Sequence, residues 1–200
     1  MSTPTREVEV KARVDDIGAA RARMETAGAL LRFEGDLSDR IYDTTDSGLG
    51  AQDQVLRVRT YVGTTGTMSH IDWKGRTSRD GGFKVREELT SGITDAAAIA
   101  SILERLGYHV TSSIDRWIAQ YELGDESGRG GVVIVRFERY PKMDTLVEVE
   151  GSPDGIERAI TLLGIPRDRF SADRLADFVA AYEARTGIRA AVCLEGPAAR

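Results

Sequence analysis

Residues 7–14 read EVEVKARV, and their charged and apolar side chains alternate strictly. Side chains two positions apart on a β-strand share a face, so Glu7, Glu9 and Lys11 lie opposite the valines between them. This stretch therefore predicts a strand with one charged face and one apolar face. The alternation recurs in residues 84–90 and 146–150, and residues 55–61 and 132–138 are further strand candidates that place Arg57 with Arg59 and Arg136 with Glu138 on one face.

Other short stretches are rich in β-branched or aromatic residues and predict further strands, at residues 39–43, 69–74 and 114–121. Helical spacing of apolar residues occurs in four places. Three of these patterns end at a glycine, at Gly28, Gly107 and Gly164, and the fourth runs from about Ala172 to Arg185. About eight strands and four helices predict an α+β fold with a mostly antiparallel sheet.

The composition is that of a globular protein. The chain has 200 residues, of which 41% are hydrophobic and 30% charged. This length predicts a single domain over residues 1–200. We expect its core at about 6–185 and a C-terminal tail at 187–200. The net charge of -5 argues against a nucleic-acid partner, and no apolar run is long enough to predict a membrane partner. The first residues contain no signal-peptide pattern, and the single cysteine, Cys193, excludes an internal disulfide. We expect a cytoplasmic protein.

The charged faces of these strands allow two architectures. One is an open sheet, whose apolar face packs on the helices while its charged face meets water. The other is a sheet closed on itself, with the charged face inward. The charged positions are almost wholly Arg, Lys and Glu, and the carboxylates and bases come from different strands, which favours the closed form. A polyphosphate with divalent cations would neutralise both groups, because phosphate binds the bases and the cations bind the carboxylates.

The order of the motifs resembles that of one known family. Glu7-Val8-Glu9-Val10-Lys11 is similar to the E-x-E-x-K motif that opens the CYTH family, also called triphosphate tunnel metalloenzymes. Further segments resemble the family's motifs in the same order: residues 39–43 (DRIYD), 56–59 (LRVR), 72–75 (DWKG), 86–88 (REE), 137–138 (FE) and 148–151 (EVEG). The resemblance covers roughly residues 6–180 and is nearest to the class IV adenylate cyclase branch.

The resemblance implies a closed eight-stranded antiparallel β-barrel tunnel with helices packed outside it. It implies that Mg²⁺ or Mn²⁺ is bound by a set of carboxylates, namely Glu7, Glu9, Glu138, Glu148 and Glu150. It also implies a set of phosphate-binding bases, namely Lys11, Arg57, Arg59, Lys74, Lys84, Arg86, Arg116 and Arg136. Lys11 and Glu9 are the implied catalytic residues, with Lys11 as a proton acceptor.

Three functions fit these residues. The favoured one is cyclisation of ATP to cyclic AMP with release of pyrophosphate. The second is hydrolysis of inorganic tripolyphosphate or thiamine triphosphate, because one tunnel can hold a triphosphate in either direction. The third is a catalytically silent module that binds nucleotides or polyphosphate. The five carboxylates argue against it, because such a module would not need them. The expected partner is a triphosphate, and we expect a monomer or a homodimer.

Overall fold

The computed structural model describes residues 5–124 and 131–194. Its strands are β1 (Thr5–Arg13), β2 (Leu30–Thr44), β3 (Val55–Gly63), β4 (Gly66–Lys74), β5 (Ser78–Asp80), β6 (Phe83–Ile93), β7 (Tyr108–Leu123), β8 (Val133–Arg139) and β9 (Leu146–Glu150). Its α-helices are α1 (Ile17–Thr26), α2 (Ala96–Arg105), α3 (Pro153–Leu163) and α4 (Leu175–Thr186). Residues 195–200 of the expected tail lie outside the described residues.

Eight of the nine described strands form a closed antiparallel ring, in the order β1, β9, β8, β7, β2, β3, β4 and β6. Strand β6 closes the ring against β1, with Glu7 opposite Arg86 and Glu9 opposite Lys84. The ninth strand, β5, pairs with the first residues of β6, beyond the point where β4 stops pairing. The predicted closed barrel of eight antiparallel strands with four helices is therefore confirmed.

The main hydrophobic core lies outside the barrel wall, between the sheet and two helices. Val10, Val147 and Val149 are fully buried, and they belong to the same cluster as Ile156 and Ile160 of α3. Helix α1 packs against α3 on this side of the barrel. Full burial of each such side chain contributes roughly 1.5–3 kcal/mol. Because the apolar faces turn outward to these helices, the charged faces of the same strands turn into the barrel lumen.

The helix boundaries follow local hydrogen bonding. Helices α1 and α2 begin after Asp16 and Asp95, whose side chains accept the N–H three residues later at 2.9 and 2.8 Å. Helix α4 begins at Leu175, three residues later than predicted, because Ser171 first pairs in extended form with Lys11 through two 2.9 Å backbone hydrogen bonds. Within the described ranges, none of the helices combines the length and apolar character needed to cross a bilayer.

Several strands extend beyond their predicted stretches, and the differences are largest for β2 and β7. Strand β2 begins at Leu30 and not at residue 39, and β7 covers 108–123 and not only 114–121. The two strands pair along nearly their whole length. The pairing register shifts between Leu31 and Phe33 and again between Ile41 and Tyr42. Strand β5 lies within residues 76–82, a polar stretch for which the sequence predicts no strand. Pairing with a distant segment, which local composition does not encode, explains the length of β2 and β7. Strand β5 instead pairs with the adjacent start of β6 through a short turn.

Candidate active site

A cavity of about 300 Å³ lies inside the barrel. Nine cationic and five carboxylate side chains line it, so a bound polyanion would meet a surplus of positive charge. Most of the predicted site residues line this cavity: Glu9, Lys11, Arg57, Arg59, Lys74, Lys84, Arg86, Arg116, Arg136, Glu138 and Glu148. Glu7 and Glu150 are not among the described residues that line it.

Lys11 lies between two carboxylates on the lumen face of β1. Its Nζ is 3.2 Å from Oε1 of Glu9 and also forms an ion pair with Oε2 of Glu148. Lys84 Nζ lies 2.5 Å from the same oxygen of Glu9. Burial lowers the pKa of Lys11, although Glu9 opposes the shift. Burial raises the pKa of Glu9, but Lys11, Lys84 and Lys74 outweigh it and hold that pKa well below its ordinary value.

Glu148 is held on its other oxygen by Arg136. Arg136 Nη1 donates to Oε1 of Glu148 at 2.6 Å, and its Nε donates to Gln120 Oε1 at 3.0 Å. The two residues are register partners on β8 and β9, and this cross-strand position fixes their contact. Arg136 was predicted only as a phosphate-binding residue, and the structure also places it as the counter-charge of a predicted metal ligand.

Glu7 and Glu150 share the lumen side of the sheet but differ in their partners. Both oxygens of Glu7 lie close to Lys74 Nζ, at 2.5 and 2.6 Å. Glu150 is the register partner of Glu9 across β1 and β9, and within the described residues its carboxylate makes no hydrogen bond or ion pair. Burial raises the pKa of Glu150, and the attraction of Arg136 only partly offsets it.

Three of the carboxylates share one wall of the barrel. Glu9 and Glu150 face each other across β1 and β9, and Glu148 is two residues from Glu150 on the same face. Among the described residues, no three potential ligands already converge as a metal site, because lysine and arginine hold most of these carboxylates. Their oxygen donors nevertheless suit Mg²⁺ or Mn²⁺. A cation at this wall would also compensate the charge of Glu150, which has no ion pair within residues 5–124 and 131–194.

Asp39 is a site residue that the sequence analysis did not assign. It is 2% exposed, and it accepts two hydrogen bonds from Arg59, at 2.6 and 2.9 Å, and one from Arg116 at 3.0 Å. Asp72 has a similar role on β4, where its carboxylate accepts a hydrogen bond from Arg57 Nε at 2.7 Å. The signal was available, since Asp72 is two residues from Lys74 and so shares its face.

Glu138 is fully engaged by neighbours in the barrel wall. Arg116 Nε donates to its Oε1 at 2.8 Å, and the hydroxyl of Tyr140 donates to its Oε2 at 2.7 Å. Burial raises the pKa of Glu138, but Arg116, Lys11 and Arg136 outweigh it and lower the pKa to about 2. These neighbours therefore favour the charged form of Glu138, and both of its oxygens already accept hydrogen bonds. Tyr140, which lines the cavity, was not predicted as a site residue.

Arg86 and Arg174 meet at Asp53, near the start of β3. Arg86 donates from Nη2 to the backbone oxygen of Asp53 at 2.7 Å and from Nε to Gly75 O at 2.7 Å. Arg174, which directly precedes α4, lies 3.1 Å from the Asp53 carboxylate. Both arginines line the cavity. Arg174 and Asp53 were not predicted as site residues, because they belong to loops without strand alternation.

The cavity can therefore bind a polyanion and place it beside a cation. Its arginines offer N–H donors that match phosphate oxygens, and its lysines offer compact charges. Lys11 supplies a buried amine next to two carboxylates, a position from which it can exchange a proton with a bound ligand.

The chain is similar to known proteins in sequence and in fold. The profile of the CYTH domain matches residues 5–150. A solved structure from Vibrio parahaemolyticus, described as a candidate adenylate cyclase, is 18% identical and superposes with a TM-score of 0.72, covering 89% of this chain and 99% of the other. A candidate adenylyl cyclase from Hippeastrum, described as having a dominant triphosphatase activity, is 16% identical with a TM-score of 0.60, covering 90% and 96%. No curated protein sequence matches this chain significantly.

Proposed function

Because the chain belongs to the CYTH family, we propose that it is a divalent-metal-dependent enzyme that cyclises ATP to cyclic AMP and releases pyrophosphate. The observation that carries the proposal is the charge of the closed cavity. Nine cationic side chains exceed five carboxylates there, and a triphosphate with a bound cation supplies the missing negative charge. A solvated sheet face would not need such a selection of charges.

The donors proposed for the cation are Glu9, Glu148 and Glu150, which share one wall. Glu7 and Glu138 are weaker candidates, because Lys74 holds both oxygens of Glu7, and Arg116 and Tyr140 each hold one oxygen of Glu138. When bound, Mg²⁺ or Mn²⁺ would polarise the α-phosphate and lower the pKa of the ribose 3′-hydroxyl. Lys84 would then turn from Glu9 towards phosphate, and Lys11 would be released from Glu9 and Glu148.

In the proposed reaction the ribose O3′ attacks the α-phosphorus, and the bond from that phosphorus to the pyrophosphate oxygen breaks. Arg57 and Arg59 would stabilise the charge that develops on the leaving pyrophosphate. Lys11 Nζ would accept the proton from the 3′-hydroxyl, since burial favours its neutral form more than in an ordinary lysine. The closed barrel would hold the nucleotide in line for attack and limit access of water.

The test is product identification. Purified protein with Mn²⁺ and ATP should form cyclic AMP and pyrophosphate, and Lys11→Gln should lower turnover while the exposed Lys142→Gln leaves it unchanged. Recovery of ADP and phosphate in place of cyclic AMP would reject the cyclase. Tight binding of ATP without any product would instead support the silent binding module.

A triphosphatase is the second candidate function. The position of Lys11 between Glu9 and Glu148 would equally serve to take a proton from water. The Hippeastrum structure shares this fold and is described as having a dominant triphosphatase activity. Faster phosphate release from tripolyphosphate than any reaction with ATP would favour this function.

A further inference from the structure

Three apolar side chains of the barrel strands line one side of a mostly charged cavity. They are Ile41 of β2, Val55 of β3 and Ile114 of β7, and together we call them the apolar lip. All three are half-buried, and none belongs to either hydrophobic cluster of the described residues. They therefore do not serve the packing of the helices on the barrel.

The sheet brings the members of the apolar lip together. Strand β2 lies between β7 and β3 in the ring. Ile114 is the register partner of Asp39, so it is diagonal to Ile41. Arg57 is the register partner of Ile41, and Val55 is two residues from Arg57 on the same face. The apolar lip is thus one continuous patch across three adjacent strands.

On each of these strands the next lumen-facing position is charged. Asp39 follows Ile41 on the face of β2, Arg57 follows Val55 on β3, and Arg116 follows Ile114 on β7. The cavity therefore changes from apolar to charged along each of the three strands, and the change shifts by two residues from one strand to the next, since Arg57 lies opposite Ile41 and Asp39 lies opposite Ile114. Leu175 and Ala176, from the first turn of α4, line the same cavity and add further apolar surface.

An inorganic tripolyphosphate has only charged and polar groups, and an apolar patch gives it nothing to bind. A nucleoside triphosphate has a flat, largely apolar base at one end and the phosphates at the other. We propose that the apolar lip binds the base of a nucleoside triphosphate, which makes Ile41, Val55 and Ile114 specificity-determining residues. The proposal rests on the proposed function, since the triphosphate must occupy the adjoining charged region.

The test compares two probes, ATP and tripolyphosphate, by isothermal titration with Ca²⁺ in place of Mg²⁺ to slow turnover. The double variant Ile41→Thr/Ile114→Thr keeps β-branched side chains at both positions and so preserves strand propensity. It should weaken binding of ATP by about tenfold, as expected for removing apolar contacts from a pocket. Binding of tripolyphosphate should change by less than about twofold.

Two single variants on β3 keep the test decisive if the double variant fails to fold. Val55→Thr alters the apolar lip, whereas Val62→Thr makes the same change at an exposed position on the opposite face of the strand. Val55→Thr should weaken ATP binding selectively, by about threefold, and Val62→Thr should affect neither probe. An equal effect of the lip variants on both probes, or none, would overturn the proposal while leaving the proposed function intact. A wild-type protein that binds neither probe would overturn both.

Discussion

Asp39 binds Arg59 through two parallel hydrogen bonds, from Nε to Oδ1 at 2.6 Å and from Nη2 to Oδ2 at 2.9 Å. Arg116 donates to the same Oδ2 at 3.0 Å. One buried carboxylate therefore fixes the planes of two arginines that line the cavity. Preorganised donors of this kind lose little entropy when they bind phosphate, so Asp39 acts on the ligand through the arginines that it positions.

Replacing Asp39 by Asn should destabilise the fold by about 3–5 kcal/mol, because the buried guanidinium of Arg59 loses its counter-charge and that of Arg116 keeps only Glu138. The measurement is the free energy of unfolding in urea. Asp36→Asn, at an exposed position on the same strand, is the matched control and should stay within about 0.5 kcal/mol of wild type. Equal unfolding free energies for the two variants would show that Asp39 does not hold these arginines.

The lowered pKa of Asp39 predicts that its contribution to stability depends on pH, and Asp39→Asn tests this. Burial raises the pKa of Asp39, but Arg59, Arg57 and Arg116 outweigh it and hold the pKa well below its ordinary value. A carboxyl whose pKa is lower in the folded state stabilises the fold above its unfolded pKa, near 4, and loses this contribution as the pH falls towards its folded pKa. The difference in unfolding free energy between wild type and Asp39→Asn should thus be constant from about pH 5 to 8 and shrink below about pH 4. A difference that grows on acidification would contradict the assignment.

Alternation predicted the strands whose two faces differ in polarity. Strand β9 matches its predicted residues 146–150, and β1 begins two residues before the predicted stretch 7–14 and ends one residue earlier. The start of β2 was not predictable in this way, because Leu30 and Leu31 are adjacent, apolar and exposed. Their place in the sheet depends on the distant partner strand β7, which no local pattern identifies.

The alternation of side chains between the two faces of a strand predicted which residues face the lumen. It did not predict how deep in the lumen each residue lies. Glu7 and Glu9 share a face, yet only Glu9 lines the cavity. The depth of each residue depends on the tilt and stagger of the strands in the closed barrel, and these are properties of the whole ring. Parity also indicates the face of Asp39, but its role as a counter-charge follows from β2 lying between β3 and β7.

Arg57 should be a strong determinant of phosphate affinity. Its Nε is bound to Asp72 at 2.7 Å, while its Nη1 and Nη2 are 3.8 and 3.6 Å from Asp39 and Glu88, beyond hydrogen-bonding distance. The open end of the guanidinium is therefore held in place for a ligand. Arg57→Ala should weaken tripolyphosphate binding by about 1.5–3 kcal/mol, as expected for losing a charge-assisted hydrogen bond.

Isothermal titration with tripolyphosphate measures this loss, and Arg32→Ala provides the control. Arg32 pairs with Glu122 at 2.7 Å, and half of its side chain is exposed, so its removal should leave affinity unchanged. If the affinity of the Arg57→Ala protein equals that of wild type, the phosphates do not lie against β3.

Glu150→Gln should separate metal binding from folding. The Glu150 carboxylate has no ion pair among the described residues and faces Glu9, so removing its charge should leave the metal-free protein as stable as wild type or slightly more stable. If Glu150 is a cation ligand, wild type should gain thermal stability as Mn²⁺ is added, in proportion to the logarithm of its concentration at saturation. The variant should lose most of this gain, together with turnover at low Mn²⁺. Glu104→Gln, at an exposed position on α2, should keep both the Mn²⁺-dependent gain and turnover. A variant at position 150 that retains the full Mn²⁺-dependent shift would remove Glu150 from the metal site and leave Glu9 and Glu148 as its remaining donors on that wall.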